Sequence, residues 1–332
     1  MKKIIYLLGI ILFSVGLQAQ NGNEVFGFLR FPASARINAL GGQSVSLVER
    51  DPSLAFHNPG LLGGEMDGMV NLNYMNYISD INLGSALYAK AHKERGAWAI
   101  GASFLHYGDI REYSAENIAG GSVSGSDINL QGIYAYDLSE RWRGGLSLKL
   151  LYSTFAEYTS LGLAVDAGLT YYNSEKEFSF GFALKNIGAQ VKAYEEERQP
   201  IPWDIQLGIS KKLPHAPFRF SITGQYLNRW KFKSIDQTTD DDADDGFGKT
   251  FFKHLVFGVD FIPSENFWVG VGYNPKRGMD MKLQSGNTLG GFSAGAGVKI
   301  SHFDLGVSVA QYHPSAMALM ISLSTTLSDF RP

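Results

Sequence analysis

The 332-residue chain has no cysteine. That excludes disulfides, thiolate metal sites and a cysteine nucleophile. Charge is scarce as well: Asp, Glu, Lys and Arg supply 18% of the residues, against about 25% in ordinary soluble domains. The formal net charge of −3 gives no general attraction to nucleic acid. Beyond the first twenty residues no apolar stretch approaches the ~18 residues of a spanning helix. Helical membrane spans are therefore not expected. A closed barrel, whose strands need only alternate, remains fully compatible.

What is present is glycine, at 38 residues, and aromatic side chains, at 13%. The chain opens with Lys2 and Lys3, an apolar run from Ile4 to Leu17, and Gln18-Ala19-Gln20. A charged start, a short apolar core and a small-residue exit are the parts of a secretory signal peptide. The run is too short to span a bilayer comfortably. Residues 1–20 are read as a signal peptide, with an N-terminal anchor as the alternative. Lipidation there is excluded by the lack of cysteine.

Period-two alternation then recurs to the end of the chain. Leu161, Leu163, Val165, Ala167 and Leu169 alternate with Gly162, Ala164, Asp166 and Gly168. Trp203, Ile205, Leu207 and Ile209 alternate with Asp204, Gln206, Gly208 and Ser210, and Phe218, Phe220 and Ile222 with Arg219, Ser221 and Thr223. Successive strand side chains point to opposite faces, so each segment has one apolar side and one small or polar side. Fourteen such segments fit between residues 66 and 327, each near the ~10 residues of a tilted membrane-crossing strand.

The connections segregate by parity. One set is short throughout, at 92–95, 139–141, 173–176, 214–216, 263–266 and 301–302. The other contains every long loop: 108–125, 189–202, 231–251 and 276–288. Membrane barrels keep short turns at the periplasmic end and long loops outside, whereas a soluble sandwich has no reason to sort its loops this way. The fold class expected is all-β, a 14-stranded antiparallel transmembrane β-barrel over 66–332, with both termini periplasmic. Aliphatic faces would meet lipid. Asp166, Asp204, Gln206, Arg219 and Lys299 would point inward or lie near the rims. Tyr74, Tyr77, Trp98, Tyr134, Tyr136, Trp142, Trp203 and Trp268 are candidates for interfacial girdles. The many small inward residues leave either lumen volume or room for a plug.

Residues 21–65 do not alternate, and they form the expected plug or periplasmic segment. Pro32 enters a short helix that Gly41 and Gly42 end, a second turn begins at Asp51-Pro52, and Asn58-Pro59-Gly60 reads as a tight turn. Arg36, Gly41, Gly42, Asp51, Asn58 and Pro59 are the candidate plug residues, an exposed periplasmic arm being the alternative. Catalytic chemistry finds little support, and no enzyme is expected. The seven histidines, at 57, 92, 106, 215, 254, 302 and 313, include no zinc-helix pair, and no phosphate-loop sequence is present. The acidic tract 240–245 fails the EF-hand pattern: with Asp241, Asp245 and Gly246 aligned, Ala243 and Phe252 fall where ligands belong. No metal or cofactor is expected.

Several words resemble a known family. Ala39-Leu40-Gly41-Gly42, the spacing from Asp51 to Asn58-Pro59, and Leu61-Leu62 resemble the PorV/PorQ group of FadL-like outer-membrane barrels of Bacteroidota. Gly27-Phe28-Leu29, Pro32-Ala33-Ser34-Ala35-Arg36, Tyr107-Gly108-Asp109-Ile110 and Ser124-Gly125-Ser126-Asp127 are more similar to its PorQ-like members. Gly60 departs from the Ala that many relatives carry after Asn-Pro. The resemblance implies a type IX secretion component in an attachment complex, tethering PorZ directly, alongside PorU and PorV, where cargo is processed and joined to lipopolysaccharide. It also implies a partner surface on the long loops, for which Tyr113, Glu195, Asp241, Asp245, Phe247 and Arg277 are candidates. A FadL-like transporter of hydrophobic small molecules is the alternative, and a general diffusion pore fits the few inward charges less well.

Overall fold

Residues that alternate in this way close into one cylinder. The structure, a computed structural model, describes residues 24–113, 119–230, 232, 246–285, 289–313 and 316–330. The signal-peptide assignment and the acidic tract with Asp241 and Asp245 lie outside the described residues. The first seven strands are β1 (Met69–Ile78), β2 (Ile81–His92), β3 (Gly96–Tyr113), β4 (Ala119–Asp137), β5 (Trp142–Phe155), β6 (Tyr158–Asn173) and β7 (Phe178–Lys192). The rest are β8 (Asp204–Lys212), β9 (Phe218–Gly224), β10 (Leu255–Ser264), β11 (Phe267–Tyr273), β12 (Phe292–Ile300), β13 (Phe303–His313) and β14 (Ala316–Thr326). Each pairs with its sequence neighbours, and β1 closes antiparallel on β14 from Met69↔Thr326 to Asn76↔Leu319. The fourteen-stranded antiparallel barrel is thus present.

Closure leaves no free sheet edge, which lets a β-sheet stand in hydrocarbon. The two faces separate as alternation requires. On β5, Leu146, Leu148 and Leu150 are 60%, 62% and 47% exposed, while Ser147, Lys149 and Leu151 are 2%, 2% and 0% exposed. The outer surface is therefore an aliphatic belt for lipid, and the inner surface carries the polar and small residues. No helix among the described residues is long and apolar enough to cross a membrane.

Three expectations about the connections are corrected. The stretch 108–125 is mostly strand: β3 and β4 continue as a hairpin with Asp109↔Ser124 and Ile110↔Val123 paired. Its serines and glycines have the composition of a loop, but ladder bonds beyond the lipid belt need no apolar face. The connection read at 231–251 begins earlier and ends in a helix: β9 stops at Gly224, and Phe247–Lys253 (α2) precedes β10. The stretch 276–288 is largely a helix, Pro275–Ser285 (α3), with proline at its first position, where the missing N–H costs nothing.

Residues 24–68 occupy the interior. They hold one α-helix, Ala35–Ala39 (α1), and short 3₁₀ turns at Gly27–Arg30, Pro52–Phe56, Pro59–Leu61 and Gly64–Met66. Asp51 caps the second turn by accepting the Ser53 N–H, and Asn58 caps the third by accepting that of Gly60. Most side chains from Ser34 to Leu62 are buried. An exposed arm is not what forms.

Candidate functional site, a plugged lumen

The plug enters view at the long-loop end. Val25 N–H donates to Pro200 O at 3.2 Å, and Glu24 is paired with Arg30 and, at 3.0 Å, with Arg229. Residues 200 and 229 belong to the β7–β8 and β9–β10 connections, both on that side. The described C-terminal residues Leu327–Phe330 leave β14 at the short-turn end. The plug expected of residues 21–65 therefore extends beyond the short-turn mouth: its first described residues reach the opposite end. The reason is apolar. Val25, Phe26 and Phe28 are buried among Met75, Leu83, Leu105, Leu151, Ile201 and Met320, and three such side chains find no comparable cover in water.

Lower down, α1 is seated on β11 to β14. Ala35 N–H donates to Ser322 Oγ at 2.7 Å, Asn38 Nδ2 to Ser308 Oγ at 3.0 Å, and Gly41 N–H to Ser293 Oγ at 2.9 Å. The wall is small there, so backbone reaches backbone: a Cβ on Gly272 would run into Gly41 N and Leu40 C. Gly41 and Gly42 turn the chain at φ +95° and +91°, where side chains are strained. The inward small residues thus serve close approach. Gly291-Phe292-Ser293-Ala294-Gly295 has the spacing of a hydrolase nucleophile elbow. Ser293, however, lies in β12 rather than on a strand-to-helix turn, and its hydroxyl donates to Ala39 O at 2.9 Å.

Four charges then tie plug to wall. Arg36 binds Glu49 through two hydrogen bonds, of 3.0 and 2.7 Å, and reaches Asp260 on β10 at 2.9 Å. Arg219 on β9 reaches Asp260 at 2.9 Å and Glu49 at 2.6 Å. The Arg36 guanidinium lies 4.1 Å from the centre of the Trp268 ring. Burial raises the Glu49 carboxyl, but Arg219 and Arg36 overturn this and hold it at about 2. Asp51, which has no such partner, is lifted by burial to about 6 despite its bonds from Ser53. His57 is held well below its usual range by burial and by Lys185 and Lys149, and its Nε2 accepts the Ala33 N–H at 3.1 Å. Asn58 Nδ2 donates to Val45 O at 2.7 Å and to Thr170 Oγ1 at 3.1 Å, and Pro59 lies against Gly145 and Gly168. All six candidate plug residues stand at plug or wall contacts within the lumen.

A second polar band crosses β5 to β8. Lys149 pairs with Asp166 at 2.6 Å and donates to Asn186 Oδ1 at 2.7 Å, and Lys185 and Asp204 are buried beside them. Asn186 sits at φ +56° where the β6–β7 register shifts, which aims both Lys185 and Asn186 inward. Sequence reasoning picked out Asp166 and Asp204 but not Lys149, Lys185 or Asp260. A lone charge between outward aliphatic residues was the available signal for each.

The loop candidates divide. Glu195 is exposed, and Phe247 on α2 is 78% exposed with its ring stacked on Trp230 at 6.3 Å. Tyr113 ends β3. Arg277 is corrected: it donates to Gly41 O at 2.9 Å and lies 4.0 Å over the Tyr312 ring, so it clamps the plug instead of presenting a free rim. Two girdle candidates are corrected too. Trp268 stacks inward under Arg36, and Tyr77 packs inward on Phe31 at 4.8 Å. Tyr74, Tyr134, Tyr136 and Trp142 do face outward. At the short-turn mouth a cavity of about 390 Å³ lies between plug and wall, lined by Val48, Arg50, Leu61, Trp142, Arg143 and Tyr172 among others. Among the described residues no group of His, Asp and Glu side chains gathers to hold a metal ion.

Residues 150–312 match the family model "Type IX secretion system membrane protein PorP/SprF". No curated protein matches the chain. Among solved structures, the Pseudomonas putida toluene transporter TodX is similar at a TM-score of 0.58 and 11% identity, over 90% of this chain and 98% of that one. A mutant of the TodX monoaromatic hydrocarbon channel gives 0.58 and 11%, over 89% and 99%. A Pseudomonas aeruginosa FadL homologue gives 0.50 and 12%, over 89% and 98%. At these identities the likeness speaks for the fold alone. The chain folds as a FadL-like fourteen-stranded β-barrel, and its residues 150–312 are similar to a type IX secretion system membrane-protein family.

Proposed function

We propose that this barrel is a non-enzymatic type IX secretion component that anchors a surface assembly. PorZ is its direct partner, with PorU and PorV in the same attachment complex, which joins cargo to lipopolysaccharide. In this reading residues 1–20 direct export, 21–65 form the plug and 66–332 form the barrel. One observation carries it: the plug runs through the lumen from the long-loop end to the short-turn mouth, held by buried ion pairs and backbone contacts. A filled barrel offers its rim. That rim is built on rigid strands and displays Trp230, Phe247 and Phe251, aromatic side chains of the kind that anchor protein partners. The test is affinity purification through a tag inserted at 114–118. PorZ is expected to co-purify, and the joint change of Phe247→Ala and Trp230→Ala to reduce its recovery about tenfold. Absence of PorZ, or full recovery with the double variant, overturns the reading.

The solved structures speak more directly for a second reading, passage of small apolar molecules, since two are named as a hydrocarbon channel and a toluene transporter. The apolar outer half of the lumen favours it here. Uptake of toluene into liposomes holding the purified chain, abolished by the double change of Phe26→Asp and Leu105→Asp, would support passage. Uptake no faster than into empty liposomes would dismiss it.

A further inference from the structure

The outer half of the lumen contains a buried carboxylate that meets no cation among the described residues. Asp127 on β4 is 3% exposed. Its Oδ2 accepts the Tyr107 hydroxyl at 2.7 Å, and its Oδ1 accepts that of Ser153. Because Ser153 donates to the carboxylate, the Tyr194 hydroxyl bonded to Ser153 must donate to it in turn. Donors therefore converge on both carboxylate oxygens, which suits the ionised form. Elsewhere in the lumen Asp166 is matched by Lys149, and Asp260 by Arg36 and Arg219. Among the described residues no cationic side chain forms an ion pair with Asp127. An uncompensated buried charge is costly, and each oxygen keeps acceptor capacity beyond its single hydroxyl partner.

A second acceptor stands two residues along the same strand face. Asn129 follows Asp127 on the inward face of β4 and is 2% exposed. Its Nδ2 donates to Ser103 Oγ, its cross-strand partner on β3, at 3.3 Å and to Gln131 Oε1 on its own strand at 3.1 Å. Its Oδ1 is buried without a hydrogen-bond partner. Around the pair stand Leu105, Leu151, Phe26 and Ile201, with the half-buried rings of Tyr107 and Tyr194 toward the long-loop side.

We propose that Asp127 and Asn129 form a recognition site for a primary ammonium group carried on a short apolar body, reached from the long-loop end. An ammonium brings three donors, and the acceptors offered are two carboxylate oxygens and one amide oxygen. Aromatic rings tolerate a neighbouring cation, and aliphatic walls suit its carbon chain better than they suit a hydrated metal ion. The proposal deepens the passage reading by naming a class of solute. It needs neither flux nor partner, so binding can fail while uptake of apolar molecules succeeds, and the reverse.

The test is calorimetric titration of the purified full chain in detergent at pH 7 with n-butylammonium chloride, and with n-butanol and sodium butyrate as neutral and anionic matches. Saturable binding of butylammonium alone is expected. Asp127→Asn, nearly equal in shape, should weaken it by about tenfold or more. Asn129→Leu removes the amide acceptor and keeps the carboxylate; it should weaken binding a few-fold, and unchanged affinity there overturns the proposal if Asp127→Asn does not assemble. Butanol binding as tightly as the amine overturns the proposal, as does unchanged affinity in Asp127→Asn or the absence of saturable heat. Displacement by potassium chloride with no dependence on the butyl chain assigns the site to an alkali ion and overturns it as well.

Discussion

Arg36, in the plug, places its Nη1 2.9 Å from Oδ1 of Asp260, on the barrel wall, with neither side chain more than 5% exposed. Glu49 and Arg219 complete the square. Removing one member of such a buried set leaves its partner's charge without compensation, which costs about 3–5 kcal/mol. Arg36→Ala is expected to loosen residues 35–48 without dissolving the barrel. Amide hydrogen exchange should accelerate in that segment while the β5 and β6 amides stay protected. Equal protection in both regions would show that the backbone contacts to β11–β14 hold the plug unaided.

The plug should also respond to acid in two opposed limbs. Glu49 titrates at about 2 in the folded chain against an ordinary 4.5, so its contribution is complete above about 4.5 and fades as pH falls toward 2. Asp51 titrates at about 6 against an ordinary 3.8, so the folded plug loses stability as pH rises from 3.8 to 6. Protection of residues 35–57, corrected for intrinsic exchange, is expected to peak between about 4 and 5. Asp51→Asn keeps a capping side chain and should flatten the upper limb only. A profile without slope from pH 3 to 7 would contradict both assignments.

Gly272 and Gly181 lie where the plug backbone touches the wall, against Gly41 and Val45 respectively. Gly272→Val is expected to push α1 off β11 at a cost of about 1–3 kcal/mol. Single-channel recording in planar bilayers is the readout, since a displaced plug admits ions where the seated one does not. Gly132→Ala, at an outward glycine whose Cβ would meet nothing within 4 Å, is the matched control.

Leu148 and Lys149 are adjacent on β5 and face opposite solvents. Leu148→Arg puts a charge on the lipid face and should cost about 2–4 kcal/mol near the bilayer midplane. Lys149→Met instead strands Asp166 inside the lumen, a penalty independent of lipid. Urea unfolding in bilayers of different thickness separates them: the first cost varies with thickness and the second does not.

Much of this fold can be read from the chain, because an aliphatic residue at every second position over ten residues has few other uses. The parity of turn lengths orients the cylinder by the same simplicity. What alternation cannot tell is which face of an aromatic strand looks inward. Trp268 lies between Phe267 and Val269, and only the guanidinium of Arg36, far away in sequence, makes the lumen its better environment. Arg277 falls in a stretch with the composition of a loop, yet the orphan carbonyl of Gly41 draws it to the plug. The course of residues 24–31 was hidden for a similar reason. Phe26 and Phe28 need apolar cover, but nothing local states that it lies at the far end of the barrel.

The seam where the cylinder closes has a consequence for how the molecule is held together. β14, the last strand of the ring, accepts the Ala35 N–H at Ser322 Oγ, an Asn71 Nδ2 hydrogen at Ser324 Oγ and an Arg50 Nη2 hydrogen at Thr326 Oγ1, while Leu327 N–H donates to Gly68 O. The earliest described segment of the chain is thereby fastened to the latest. The contacts that seat the plug and the contacts that close the ring therefore share one strand, so whatever loosens β14 loosens both at once.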